Sequence, residues 1–257
     1  MNVPVSILGR SFRLIFAQPL ETLKVIAPGI IAAGLASILV MMALVLWIVS
    51  DERSLLGYTA LALLVALGVI VGLAGIVAFA VLWHRHALLD DTARDSVMRP
   101  AGHILSRYLG EAVLVLMITF AAAFPVGSIF GIVIAVMDHQ GLETKTAEIL
   151  ITIPLTVFLL WVAIRVSLTL PAASIGQKLS ISESWVATGK ISGDIFWTAV
   201  LLTIVNVTIF SLTNGLATAL PKLEIAFSLL QIVIQSLIHI SLLSTLYGHL
   251  IQGRSLT

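Results

Sequence analysis

Gln231, Gln235 and His239 stand four residues apart in an otherwise apolar stretch, which sets two amides and an imidazole on one helix face. Asn206, with Thr203, Thr213 and Asn214 around it, makes the preceding apolar stretch comparably polar. Such groups serve either as hydrogen-bond glue between helices or as the lining of a polar path for a substrate. His239 adds a group that can titrate. A second set lies in WHRHALLDDTARD, where His84, His86, Asp90, Asp91 and Asp95, with His103 farther on, offer zinc or manganese chemistry. Two histidines at i, i+2 do not share a helix face, however, and neither HExxH nor EF-hand spacing occurs. No metal site is expected. The chain also lacks GxSxG, a phosphate-binding loop and a GxGxxG turn. The expectation is therefore no catalytic residue, no cofactor and no enzyme activity.

The elements that must carry these residues follow from composition. Of 257 residues, 59% are hydrophobic and 11% charged, against roughly a quarter charged in soluble chains, so the solvent for most of this chain is a bilayer. The formal net charge of +1 gives no global field for nucleic acid. Cysteine is absent, which removes disulfides and thiolate chemistry. The first residues lack the pattern of a cleaved signal and read as retained.

A span needs about 20 apolar residues to cross roughly 30 Å of hydrocarbon. Six stretches qualify, at about 25–50, 57–83, 109–137, 147–170, 195–220 and 224–251. Their apolar runs are continuous rather than alternating, which predicts helices rather than a barrel. The fold class is all-α, a single six-span membrane domain over 1–257. Sorting lysine and arginine by alternate loops puts Arg10, Arg13, Lys24, Arg85, Arg94, Arg99, Arg107, Arg165, Lys178, Lys190 and Arg254 on one side. Only Arg53, Lys145 and Lys222 fall on the other, whose short loops also carry Asp51, Glu52, Asp138, Glu143 and Glu224. The positive-inside bias then predicts that both termini are cytoplasmic.

Three connectors on that side read as short amphipathic helices, at about 5–18, 101–109 and 181–190. In the first, Ser6, Arg10 and Arg13 oppose Leu8, Phe12 and Ile15. In the second, Ile104, Leu105, Tyr108 and Leu109 oppose His103 and Arg107. The third has capping-box spacing at Ser180 and Glu183, an interfacial anchor in Trp185 and a stop at Gly189. Each connector precedes a pair of spans, so the chain reads as three repeats of interfacial helix plus helix pair. GVIVG, from Gly68 to Gly72, and GSIFG, from Gly127 to Gly131, permit close helix contact or self-association.

Arg165 lies late in the fourth span, with Arg85 in the matching place after the second. Both read, with Trp185, as inner-boundary anchors. One reading has Arg165 snorkelling to the headgroups; another has it pairing with Glu183, Asp194 or carbonyls near Pro171, so that it clamps the interfacial helix to the span. Pro171 marks the exit from that span.

Arg165, Leu168, Leu170, Pro171 and Ala172, then Ser184, Trp185, Thr188 and Gly189, then Phe196 and Trp197, resemble a pattern in uncharacterised bacterial inner-membrane proteins. These are similar to the membrane domain attached to some glycerophosphoryl diester phosphodiesterases. The resemblance implies an all-helical protein of the bacterial inner (cytoplasmic) membrane, without the soluble catalytic domain, and supplies no catalytic residues. The leading functional expectation is a non-enzymatic protein acting by association, as scaffold, assembly factor or accessory subunit. Its partners would be membrane lipids and another membrane protein or a second copy of itself. The alternative is a small-molecule or lipid transporter using Asn206, Gln231, Gln235 and His239. A third is a lipid-modifying enzyme using His84, His86 and Asp90.

Overall fold

A computed structural model describes residues 2–49, 55–90, 99–141 and 144–256. Asp51, Glu52, Arg53, Asp91, Arg94, Asp95 and Glu143 lie outside the described residues, as does the side chain of Lys145. The elements in order are α1 (Val3–Phe16), α2 (Pro19–Val49), α3 (Leu55–Leu88), α4 (Gly102–His139), α5 (Thr144–Val166), α6 (Thr169–Ser174), α7 (Ile181–Gly189), α8 (Ser192–Ala219), a 3-10 turn (Pro221–Leu223) and α9 (Glu224–Leu250). Among the described residues there is no strand. Six helical segments are long and apolar enough to cross a membrane: Pro19–Ile48, Gly57–Leu88, Gly102–His139, Leu150–Ser174, Ser192–Ala219 and Pro221–Leu250. The protein is an all-α, multi-pass membrane protein.

Both termini lie at one end, here called the base, where an Arg10 guanidinium nitrogen donates to the carbonyl of Ser255. The main core is also concentrated there. Ile7 and Ile15 of α1, Trp83 and Leu88 of α3, Leu168, Ile195 of α8, and Leu242, Leu246 and Tyr247 of α9 form one buried cluster.

The connectors depart from a uniform pattern. α1 packs on α8 and α9 rather than lying apart from the bundle; Ile7 and Ser11 are fully buried, and Ser11 Oγ is 3.2 Å from Thr245 Oγ1. The segment 101–109 is not a separate helix, since α4 runs unbroken from Gly102 to His139. Between the amphipathic start and the apolar remainder stand Gly110, which lowers helix propensity, and Glu111, and neither removes a backbone donor. α7 begins at the capping box read from the sequence: Ser180 Oγ accepts from Glu183 N at 3.2 Å, and Ser180 N donates to Glu183 Oε2 at 2.7 Å. Donation to its carboxylate from Ser180 N and from Ser180 Oγ, the latter at 2.8 Å, holds the exposed Glu183 carboxyl below its ordinary pKa.

α2 and α3 form a close hairpin. A Cβ added to Gly29 would collide with Phe79 Cβ, and one added to Gly75 would sit 2.6 Å from Ala32 Cβ. Farther along, a Cβ at Gly68 would lie 3.0 Å from Val40 Cγ2. GVIVG therefore faces α2 within the chain. Among the described residues nothing lies within 4 Å of a Cβ added at Gly127 or Gly131, so GSIFG makes no comparable contact there.

Candidate functional site

Polar and aromatic side chains converge at the base, and the break between α5 and α6 explains much of their arrangement. Ending a helix inside an apolar bundle leaves carbonyl and amide groups that need partners. Ser184 of α7 supplies them: its Oγ donates to the Arg165 carbonyl at 2.7 Å and accepts from Leu168 N at 3.3 Å. Thr188, one turn later, is fully buried on the same face.

The Arg165 side chain completes the junction. It is 7% exposed, with its guanidinium carbon 3.5 Å from the Trp185 ring centroid and 5.0 Å from that of Trp161. Nη2 donates to the Trp185 carbonyl at 3.0 Å, and Nε lies 3.4 Å from Thr188 Oγ1. The two indoles meet edge-on at 5.9 Å, and Trp161 Nε1 donates to the Ser192 carbonyl at 3.3 Å. The guanidinium is thus held against α7 by aromatic faces and a carbonyl. Among the residues expected as its partners, Glu183 is instead engaged by Ser180, and the carbonyl that Arg165 reaches belongs to Trp185 rather than to the turn near Pro171. That turn also differs from a simple exit, because Pro171 lies inside the short helix α6.

Arg85, likewise 7% exposed, donates through Nη1 to the Ser174 carbonyl at 3.1 Å, at the C-terminus of α6. A cation there complements the helix's exposed carbonyl end. Arg254 treats α3 similarly, donating to the carbonyls of Ala87 at 3.1 Å and Leu88 at 2.5 Å, with Asp90 3.7 Å away.

His84 lies deeper and is fully buried. Its Nδ1 is 2.8 Å from Ser244 Oγ and its Nε2 is 3.4 Å from Tyr108 Oη, which ties α3 to both α9 and α4. Ser244 Oγ donates to the Ile240 carbonyl at 2.9 Å, so its Nδ1 contact to His84 is one of two it makes. His86, two residues on, stacks obliquely with Trp83 and lines a different concavity with Arg10 and Arg13. His84 and His86 therefore do not converge on a common point, as their i, i+2 spacing implied. Among the described residues, no group of three or more histidines and carboxylates could hold a metal.

The polar face of α9 meets α8. Thr213 Oγ1 donates to Gln231 Oε1 at 2.7 Å, Gln235 Nε2 donates to the Asn206 carbonyl at 3.2 Å, and the Asn206 amide nitrogen is 3.1 Å from His239 Nε2. Asn206, Gln231, Gln235 and His239, the four singled out from the sequence, thus bond across one helix pair. His239 also borders an apolar groove of about 470 Å3 between α2, α3, α4 and α9, which Gly29, Ala33, Tyr108, Leu116 and Ser236 help to line.

The chain matches no family model. No curated protein and no solved structure is significantly similar to it either. The arrangement must be read from its own residues. Ser184, Thr188 and Ser244 join the network although spacing did not single them out as functional. In α9 the signal was available as hydroxyls at Ser241, Ser244 and Thr245 within an apolar run. Ser184 and Thr188 are four apart, a helix-face spacing whose significance depends on what the face meets.

Proposed function

We propose that this protein is a non-enzymatic membrane protein that acts by association, as a scaffold, assembly factor or accessory subunit of a membrane complex. One contrast carries the reading: Asn206, Gln231, Gln235 and His239 are engaged with α8 and α9 themselves, whereas α4 leaves a long apolar face to its surroundings. Leu116, Met117, Phe120 and Phe124 on one face of α4 are each more than 60% exposed, and on that face nothing among the described residues lies within 4 Å of a Cβ added at Gly127 or Gly131. Without water as the driving solvent, a span associates through close packing, and small residues beside large apolar ones provide for it. The basic loops favour cytoplasmic termini. The resemblance around Arg165 supports a bacterial inner membrane.

The test is extraction of the full chain into lipid nanodiscs from its own membrane, with particle mass measured before and after Phe120→Ala and Gly131→Leu. A particle of fixed stoichiometry, larger than one chain and disrupted by those changes, supports association. A correctly folded single copy without partners overturns it. The apolar groove beside His239 favours a second reading, lipid transport; a stoichiometric lipid recovered from single copies and lost in Leu116→Trp would support that instead.

A further inference from the structure

The groove of about 470 Å3 between α2, α3, α4 and α9 is bordered by side chains that end early, at Ala33, Ala80 and Ala112. Two turns of a helix about 10 Å across occupy roughly 850 Å3, so a partner's span does not enter it. Its size falls instead in the range of small-ligand sites, about 300–1,000 Å3. None of its lining residues is Asp, Glu, Lys or Arg, and its polar members are Tyr108, Ser236 and His239. Tyr108 Oη is turned to His84 at 3.4 Å. Ser236 and His239 stand one turn apart on α9. Among the described residues Ser236 Oγ has no hydrogen-bond partner. The Asn206 amide nitrogen donates to His239 Nε2 at 3.1 Å, which places the proton of the neutral ring on Nδ1, and Nδ1 has no partner among the described residues. A hydroxyl and an imidazole N–H thus stand together on the wall of an apolar groove. At 1.5 Å per residue His239 lies about 22 Å from the start of α9 at Glu224 and about 16 Å from its end at Leu250, a level inside the hydrocarbon.

We propose that this groove binds a membrane quinone by its ring and the first part of its isoprenoid tail. One quinone carbonyl has two lone pairs and can accept from both Ser236 Oγ and His239 Nδ1, which gives two donors in apolar surroundings the acceptor they lack. The uncharged lining selects an uncharged occupant, since a phosphate drawn to this depth would find no counter-charge. The ester carbonyl of a phospholipid is tied to a headgroup that stays at the boundary, whereas a quinone ring carries its carbonyls inward with its tail. The inference rests on the lipid-transport reading only in placing a lipid in this groove. Retention of some other lipid there would reject the quinone and keep that reading; retention of none would reject both.

The full chain in neutral detergent, stripped of lipid, is titrated with short-tailed ubiquinone, dioleoylglycerol or phosphatidylglycerol, and bound molecules are counted by native mass spectrometry alongside thermal stability. Wild type should retain one ubiquinone per chain in preference to either glycerolipid. Ser236→Ala, at a hydroxyl that holds nothing else in the chain, should weaken that retention roughly five-fold, and His239→Phe by a similar factor where thermal stability shows the fold kept. Leu116→Trp, which fills the groove from its exposed rim, should abolish it. Thr208→Val, which removes an exposed hydroxyl of α8 outside the groove, should leave it unchanged. Equal or stronger retention of dioleoylglycerol or phosphatidylglycerol, undiminished retention in Ser236→Ala, or an equal loss in Thr208→Val would overturn the proposal.

Discussion

At the base, Arg165, Trp161, Trp185, Ser184 and Thr188 join three elements through charged, aromatic and hydroxyl contacts, whereas the far half of α4 is largely exposed among the described residues. In the most apolar stretch of α4, 6% of residues are buried, against 33% in the corresponding stretch of Leu150–Ser174. Both regions are strongly apolar in sequence. The difference follows from the solvent: acyl chains are as apolar as leucine, so burying a leucine against protein rather than lipid gains little, and specificity falls to polar, aromatic and small-residue contacts. The base uses the first two kinds. The α2–α3 hairpin uses the third, through Gly29 and Gly75.

Breaking the base should have the largest effect. Arg165→Ala removes two ring contacts and a charged hydrogen bond and leaves an unfilled space, so it should cost about 3 kcal/mol, read as a lowered midpoint in denaturing-micelle titration. Protease sensitivity within α7 should rise with it. Arg165→Lys should recover only part of the loss, because an ammonium lacks the planar fork. An Arg165→Ala protein as stable as wild type would mean that the base is not held this way.

Overpacking the hairpin comes next. Gly29→Leu should destabilise by about 2 kcal/mol by forcing α2 from α3. The same change at Gly131 should leave the isolated chain within about 0.5 kcal/mol of wild type, since among the described residues nothing lies within 4 Å of a Cβ added there. Equal losses at the two sites would erase the contrast between hairpin and free face.

Ser180→Ala should cost about 1 kcal/mol by uncapping α7, with a local increase in amide exchange over Ile181–Glu183. The pH dependence sharpens this prediction. Because hydrogen bonds from Ser180 lower the folded pKa of Glu183, its contribution is present above the unfolded carboxyl pKa and is lost as pH falls through the folded value. Acid should therefore loosen α7 in wild type and do so less in Glu183→Gln, measured by exchange at acidic and neutral pH.

The smallest effect belongs to the α8–α9 seam. Gln235→Leu should cost about 0.6 kcal/mol, the usual size of an interhelical hydrogen bond in a membrane, in the same micelle titration. A much larger loss, or one appearing only in transport of a lipid, would move Gln235 from seam to path.

The helical class, the six segments long enough to cross and the capping box at Ser180 were legible in the residues alone, because each depends on local chemistry. A span must be long, apolar and satisfied in its own backbone, and a cap needs only neighbours three residues apart. The i, i+4 polar face of α9 was also legible, and so was the failure of His84 and His86 to share a face. Packing across the fold set what local chemistry left open: one face of α1 is buried in the core, 101–109 continues into α4, and Arg165 faces Trp185 instead of Glu183 or a carbonyl near Pro171. It also decided that His84 joins Ser244 and Tyr108, and that GVIVG is covered while GSIFG is open. The physical reason is shared. Periodicity reveals that a face is apolar or polar, but in a bilayer lipid and protein cover an apolar face almost equally well, and a buried polar group is satisfied by whichever distant residue the packing brings within reach.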